Sequence, residues 1–73
     1  MSIFLRVAAG AVVPDGIVEA PTAAKAATLW GLRASATGAE MIVEVPADVT
    51  DPVGEYEAGA AWRDTAPSLR VKG

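Results

Sequence analysis

Apolar and polar residues alternate cleanly in only a few stretches of the chain. The plainest is EMIVEVP, residues 40 to 46, where Met41, Val43 and Val45 fall on one side of an extended backbone and Glu40, Ile42 and Glu44 on the other. That pattern predicts a strand with one buried face and a second that is at least partly wet, ended by Pro46, which cannot donate to a ladder. The opening SIFLRVAAGAVV starts with large and β-branched residues and has no helix cap before it, so a strand is predicted over Ile3 to Ala9. Val13-Pro14-Asp15-Gly16 reads as a tight turn, with proline setting φ at its second position. IVEA, residues 17 to 20, then returns as a short strand that can pair back on the first.

The next stretch, PTAAKAATLWGLRAS, fits two periods. Thr22 can cap a helix in which Ala23, Ala26, Ala27 and Trp30 share a face, whereas TLWGLRAS alternates well enough for a strand. The reading adopted is a short helix or turn over 22–27 running into a strand over 28–35. ATGAE predicts a loop in which Gly38 can take a positive φ. PADVTDPVG, residues 46 to 54, carries two prolines and two aspartates and predicts a loop ordered by Asx-type turns. Residues 54–63 alternate again, and SLRVK forms a last strand after the break at Pro67. Together these elements predict a mainly β fold over residues 1–73: a small single-domain β-sandwich or partly open barrel of about five short strands, with one short helix near 22–27.

Composition changes that picture in one respect. Of 73 residues, 52% are apolar, but the aromatics number only two Trp, one Tyr and one Phe, and much of the apolar fraction is alanine. A chain this short buries only about 60% of its unfolded surface, so a core built largely from alanine is thin. Small domains meet that shortfall with disulfides, a structural metal or association. With no cysteine and no histidine, disulfides and the common zinc frameworks are excluded, which leaves association with other copies or a larger partner.

Six basic and nine acidic residues give a net charge of −3, which argues against nucleic acid as the main ligand. Glu40, Glu44, Asp48, Asp51, Glu55 and Glu57 follow one another without an intervening base, and Arg63, Arg70 and Lys72 then make the end basic. Opposite signs of this kind suit complementary packing between copies, and a solvated acidic face is the plainer reading. No segment reaches the ~18 uninterrupted apolar residues of a membrane span. MSIFLRVAAGAVVPDG is not predicted as a signal peptide, because Arg6 follows the apolar Ile3, Phe4 and Leu5, and Pro14 and Asp15 end the run early.

For catalysis the inventory is poor. Histidine and cysteine are absent, Ser2, Ser35 and Ser68 sit in no nucleophile elbow, and the glycines make no phosphate loop. Glu55 and Glu57 could form an acid and base pair about 7 Å apart on one strand face, yet so short a chain has little with which to wall a cleft. Asp48, Thr50, Asp51 and Glu55 offer oxygen ligands but lack the register of a calcium loop. No catalytic, cofactor or metal residue is therefore assigned.

EYEAGAAWRD, residues 55 to 64, is the remaining signal. As a strand it places Tyr56, Ala58, Ala60 and Trp62 on one face, with a hollow between the rings, and Glu55, Glu57 and Arg63 on the other. Tyr, Trp and Arg are the types most enriched among interface anchors, so Tyr56, Trp62, Arg63, Glu55, Glu57 and the second tryptophan, Trp30, are the candidate interface residues. Turned inward, Tyr56 and Trp62 would instead complete a small core and leave Glu55, Glu57 and Arg63 as the contact surface.

A short chain free of cysteine and histidine, opening directly on the strand SIFLRV and holding the proline-bracketed loop VPADVTDPVG, resembles the small virion proteins of tailed bacteriophages, in particular capsid decoration or cement proteins. The resemblance runs over the whole chain in length and composition. It implies a non-enzymatic β-rich module on the outer capsid surface of a virion, partnered by copies of itself, often as a trimer, or by a larger capsid protein. It implies neither nucleic acid, membrane nor small-molecule substrate. The alternative is a small acidic phage-encoded inhibitor or regulator acting on a host protein in the host cytoplasm.

Overall fold

The computed structural model describes all 73 residues. The chain forms β1 (Ser2–Ala8), β2 (Ala11–Ala20), α1 (Ala23–Leu29), β3 (Arg33–Ala34), β4 (Glu40–Val45), α2 (Pro52–Glu57), α3 (Trp62–Thr65) and β5 (Ser68–Lys72). The five strands make one antiparallel sheet in the order β2-β1-β4-β5-β3. The fold is thus mainly β with five strands. Its sheet is single and is not closed into a barrel, and short helices rather than a second sheet cover it.

Register assigns the two faces. Phe4, Arg6 and Ala8 of β1 lie opposite Glu44, Ile42 and Glu40 of β4, and Leu5 and Val7 lie opposite Val43 and Met41. On the first face Phe4, Ile42 and Val71 are buried beneath Ala26 and Ala27 of α1, with Ala20 from β2 and the partly buried Trp30 and Leu69 around them. On the second face Leu5, Val7, Val43 and Val45 are buried with Tyr56 from α2, flanked by Val53, Trp62 and Ala66. Ile42, expected on the wetter side of its strand, is fully buried because α1 covers that side; only Glu40 and Glu44 there reach water. The accessible surface of 4280 Å² is close to the roughly 4,200 Å² expected for a folded monomer of this mass, so the chain is as compact as folded monomers of its size ordinarily are.

The first hairpin turns earlier than the proline suggested. Ala9 and Gly10, both at positive φ (52° and 81°), make the two-residue turn that matches strand twist. Val13-Pro14-Asp15-Gly16 does not turn the chain but lies within β2, where the register slips between the Leu5 and Val7 pairings and Asp15 takes φ 56°. Proline is tolerated there because β2 is an edge strand, where a missing N–H need break no ladder bond. Residues 17 to 20 pair back on β1 as the sequence predicts, Ile17 opposite Leu5 and Ala20 opposite Ser2.

Thr22 caps α1, its Oγ1 accepting the Lys25 N–H at 3.1 Å. Ala26 and Ala27 are buried, and Ala23 and Trp30 pack beside them, as the i, i+3, i+4, i+7 spacing requires. The strand expected over 28–35 shrinks to Arg33–Ala34, because the helix continues to Leu29. It stops where Gly31, at φ 71°, donates to the Thr28 carbonyl and Leu32 donates to that of Ala27, the paired bonds of a Schellman cap.

Candidate functional site

The strand expected over 54–63 does not form. Asp51 caps α2, its Oδ1 accepting the Gly54 N–H at 3.2 Å, and Pro52 occupies the first helical turn, where its missing N–H is no loss. The helix ends as α1 does: Gly59, at φ 83°, donates to the Tyr56 carbonyl and Ala60 donates to that of Glu55. Ala60 and Ala61 then lead into α3. The run 46–54 is therefore a loop only as far as Asp51.

On this hairpin the candidate residues meet one another. Tyr56 is only 3% exposed and belongs to the core, while Trp62 is half-buried beside it, with ring centroids 5.9 Å apart at 55°. The two rings converge instead of flanking a hollow, and Ala58 is exposed. Trp62 Nε1 donates to Glu55 Oε1 at 3.2 Å. The Arg63 guanidinium carbon sits 4.3 Å from the centre of the Tyr56 ring, its Nη1 donating to the Tyr56 carbonyl at 2.8 Å and its Nη2 reaching the Gly10 carbonyl at 3.4 Å. The Glu57 carboxylate accepts the Val12 N–H at 3.3 Å. Arg63 and Glu57 thus tie the hairpin to the β1–β2 turn, and Trp30 lies apart from all of them, on the α1 face.

Glu55 and Glu57 do not converge on a point where a substrate could sit. They stand two apart on a helix, a spacing that does not face side chains together, and each carboxylate is held by a different partner. Asp48, Thr50 and Asp51 likewise gather no third acidic ligand with Glu55.

The surface left uncovered lies elsewhere, at the end of the sheet where β1 begins. Met1, Ile3 and Ile17 are 87%, 37% and 46% exposed. Ile3 and Ile17 share the sheet face that α2 and α3 cover further along, and Ile3 is paired with Glu19. Beside them runs an open groove of about 260 Å³, walled by Met1, Ile3, Val45 and Val49, with Glu19 and Glu44 at its margin. Neither carboxylate has a cationic partner, since the chain's one salt bridge joins Arg6 Nε to Glu40 Oε1 at 2.6 Å. That hydrogen bond holds the Glu40 carboxyl below its ordinary range and the Arg6 guanidinium above its own. At the far margin of the same face, Arg33 pairs directly with Lys72, two like charges side by side.

Sequence reasoning did not single out Ile3, Ile17, Glu19 or Glu44 as a surface. The signal was available in IVEA, an edge-strand segment whose Ile17 and Glu19 alternate with Val18 and Ala20. No family model matches the chain, and neither the curated proteins nor the solved structures contain a match to it.

Proposed function

We propose that this protein is a non-enzymatic structural module that assembles on a larger protein lattice, its specific form being a capsid decoration protein of a tailed phage. The observation that carries this reading is the exposed apolar surface of Met1, Ile3 and Ile17 around the groove. Exposed apolar residues gathered at one place mark contact surfaces more often than scattered ones do. The Tyr56 and Trp62 rings are spent inside the fold, so assembly on this reading uses the sheet end and not the EYEAGAAWRD stretch.

The test is co-expression with the capsid protein encoded beside its gene, followed by pelleting of shells. The chain pellets with the shells, and the double variant Ile3→Ser/Ile17→Ser stays in the supernatant. A wild-type chain that never pellets, or the lack of any neighbouring capsid gene, overturns the reading.

The inhibitor reading keeps one observation in its favour: Asp48, Asp51, Glu57 and Asp64 remain exposed on and before the α2–α3 hairpin without a salt-bridge partner. Binding to a basic host protein through them would weaken steeply as salt is raised. Salt-independent capture would remove it.

A further inference from the structure

The two halves of edge strand β2 differ. Along its first half the outer margin is obstructed: Glu57 occupies the Val12 N–H, Pro14 has no N–H to offer, and Asp15 at φ 56° interrupts the regular extended backbone. Charge, proline and bulges of this kind are how sheets prevent another strand from adding. Along the second half these features are absent. Ile17 to Ala20 pair with Leu5 to Ser2 in unbroken register, and no side chain or loop forms a hydrogen bond to their main chain from the outer side. The opposite margin of the sheet offers only the two residues of β3.

Side chains on this open segment define what could lie against it. Ile17 and Glu19 point to one face, whereas Val18 and Ala20 point to the face covered by α1. We infer that Ile17–Ala20 accepts an extended segment of a partner protein as a sixth strand, one carrying an apolar residue and a lysine or arginine two positions apart with small residues between. The apolar residue lies on Ile17 and the cation pairs with the Glu19 carboxylate, which has no cationic partner within the chain. Main-chain bonds supply affinity and the alternate side chains supply specificity, as in other strand additions. A second copy of this chain fits less well, because pairing two β2 strands brings Asp15 and Glu19 of both copies to one margin, with like charges together. This inference rests on the assembly reading and names the chemistry of its partner.

The probe is an acetylated and amidated peptide, TVTKTV, titrated into the ¹⁵N-labelled full chain, with TVTETV as its counterpart. Amide shifts are expected to cluster at Ile17–Ala20 and on β1 opposite, with the lysine peptide binding about tenfold tighter than the glutamate peptide at low salt. Glu19→Lys reverses that preference, and Ile17→Lys abolishes binding, while both variants keep the remaining amide spectrum because both positions are exposed. Shifts confined to the α2–α3 hairpin, no shifts at millimolar peptide, or equal affinity for the two peptides overturn the inference. A dimer of the chain alone that Ile17→Lys dissolves also overturns it, in favour of self-pairing. A chain that pellets with shells but ignores the peptide removes only this inference, and one that binds the peptide but never pellets removes only the assembly reading.

Discussion

Replacing Arg63 by methionine is the sharpest test of how the hairpin is held to the sheet. The substitution keeps an unbranched stem over the Tyr56 ring and deletes the guanidinium. Lost with it are the 2.8 Å bond to the Tyr56 carbonyl, worth about 1.5 kcal/mol for a charged donor, and the cation–π contact at 4.3 Å, worth about 0.5 to 1 kcal/mol at a half-buried site. The 3.4 Å contact to the Gly10 carbonyl adds little at that length. The Tyr56 carbonyl is not orphaned, because Gly59 still donates to it, so no further desolvation cost arises. A sulfur–aromatic contact returns about 0.3 kcal/mol or more. The net loss is about 1.5 to 2 kcal/mol.

Urea unfolding followed by tryptophan fluorescence measures this directly. With a slope of about 1 kcal/mol/M for so small a protein, the midpoint falls by about 1.5 to 2 M while the slope holds. Arg63→Lys keeps a cation over the ring but loses the rigid fork, and falls between the two. A methionine variant within about 0.5 M of wild type would show that the contacts around Arg63 contribute nothing net. A lysine variant equal to wild type would assign the effect to charge alone.

Three further outcomes follow from the same geometry. Trp62→Ala strips a half-buried ring from the Tyr56 cluster and lowers unfolding free energy by about 2 to 4 kcal/mol, read by the same urea titration; wild-type stability would mean that the ring packs on nothing that matters. Gly38→Ala, in the loop joining β3 to β4, places a Cβ on the main chain of Val71 in β5, and its far-ultraviolet dichroism should show loss of the fold or destabilisation above about 3 kcal/mol. Glu40→Gln tests the surface pair with Arg6. Because Glu40 is held below its ordinary range, its contribution is present above about pH 4.3 and disappears as pH falls through the lowered value, whereas that of Arg6 is lost only in strong alkali. Wild type is thus more stable than the variant by up to about 1 kcal/mol at pH 7, and the two converge in acid; a gap that persists at pH 2 would contradict the pairing.

Strands were legible where apolar residues alternate between firm stops, as in β1, β4 and β5, and the helix at 23–29 where a Thr cap precedes an apolar stripe of the right period. Two elements were misread for one reason. In 28–35 and 54–63 the sequence alternates, but Gly31 and Gly59 stand where a helix needs a residue in the left-handed region to close its final carbonyls. Reading Asp51-Pro52 as a cap and first turn, and Gly59 as the stop, yields α2 directly. Weighing alternation ahead of those punctuating residues turned a helical hairpin into a strand. Gly38 was misjudged differently: it is needed for space beside Val71, not for an unusual φ.

That misreading also decides where a contact surface can lie. A strand over 54–63 would set Tyr56 and Trp62 on an open face, with carboxylates out of phase behind them. Folded as a helical hairpin, the same ten residues turn both rings onto β1 and β4 and engage Glu55, Glu57 and Arg63 in holding the hairpin in place. A sheet covered in this way on one face by α1, and on the other by α2 and α3, keeps little apolar face in its middle for a partner. What stays open is geometric: the sheet end beyond the reach of the short helices, and whichever stretch of edge no proline, bulge or carboxylate obstructs. Ile3 and Ile17 lie at the first, and residues 17–20 form the second, so the two coincide on β2. Their coincidence follows from helices of six or seven residues, about 9 to 10 Å long, lying over a ten-residue strand that outruns them.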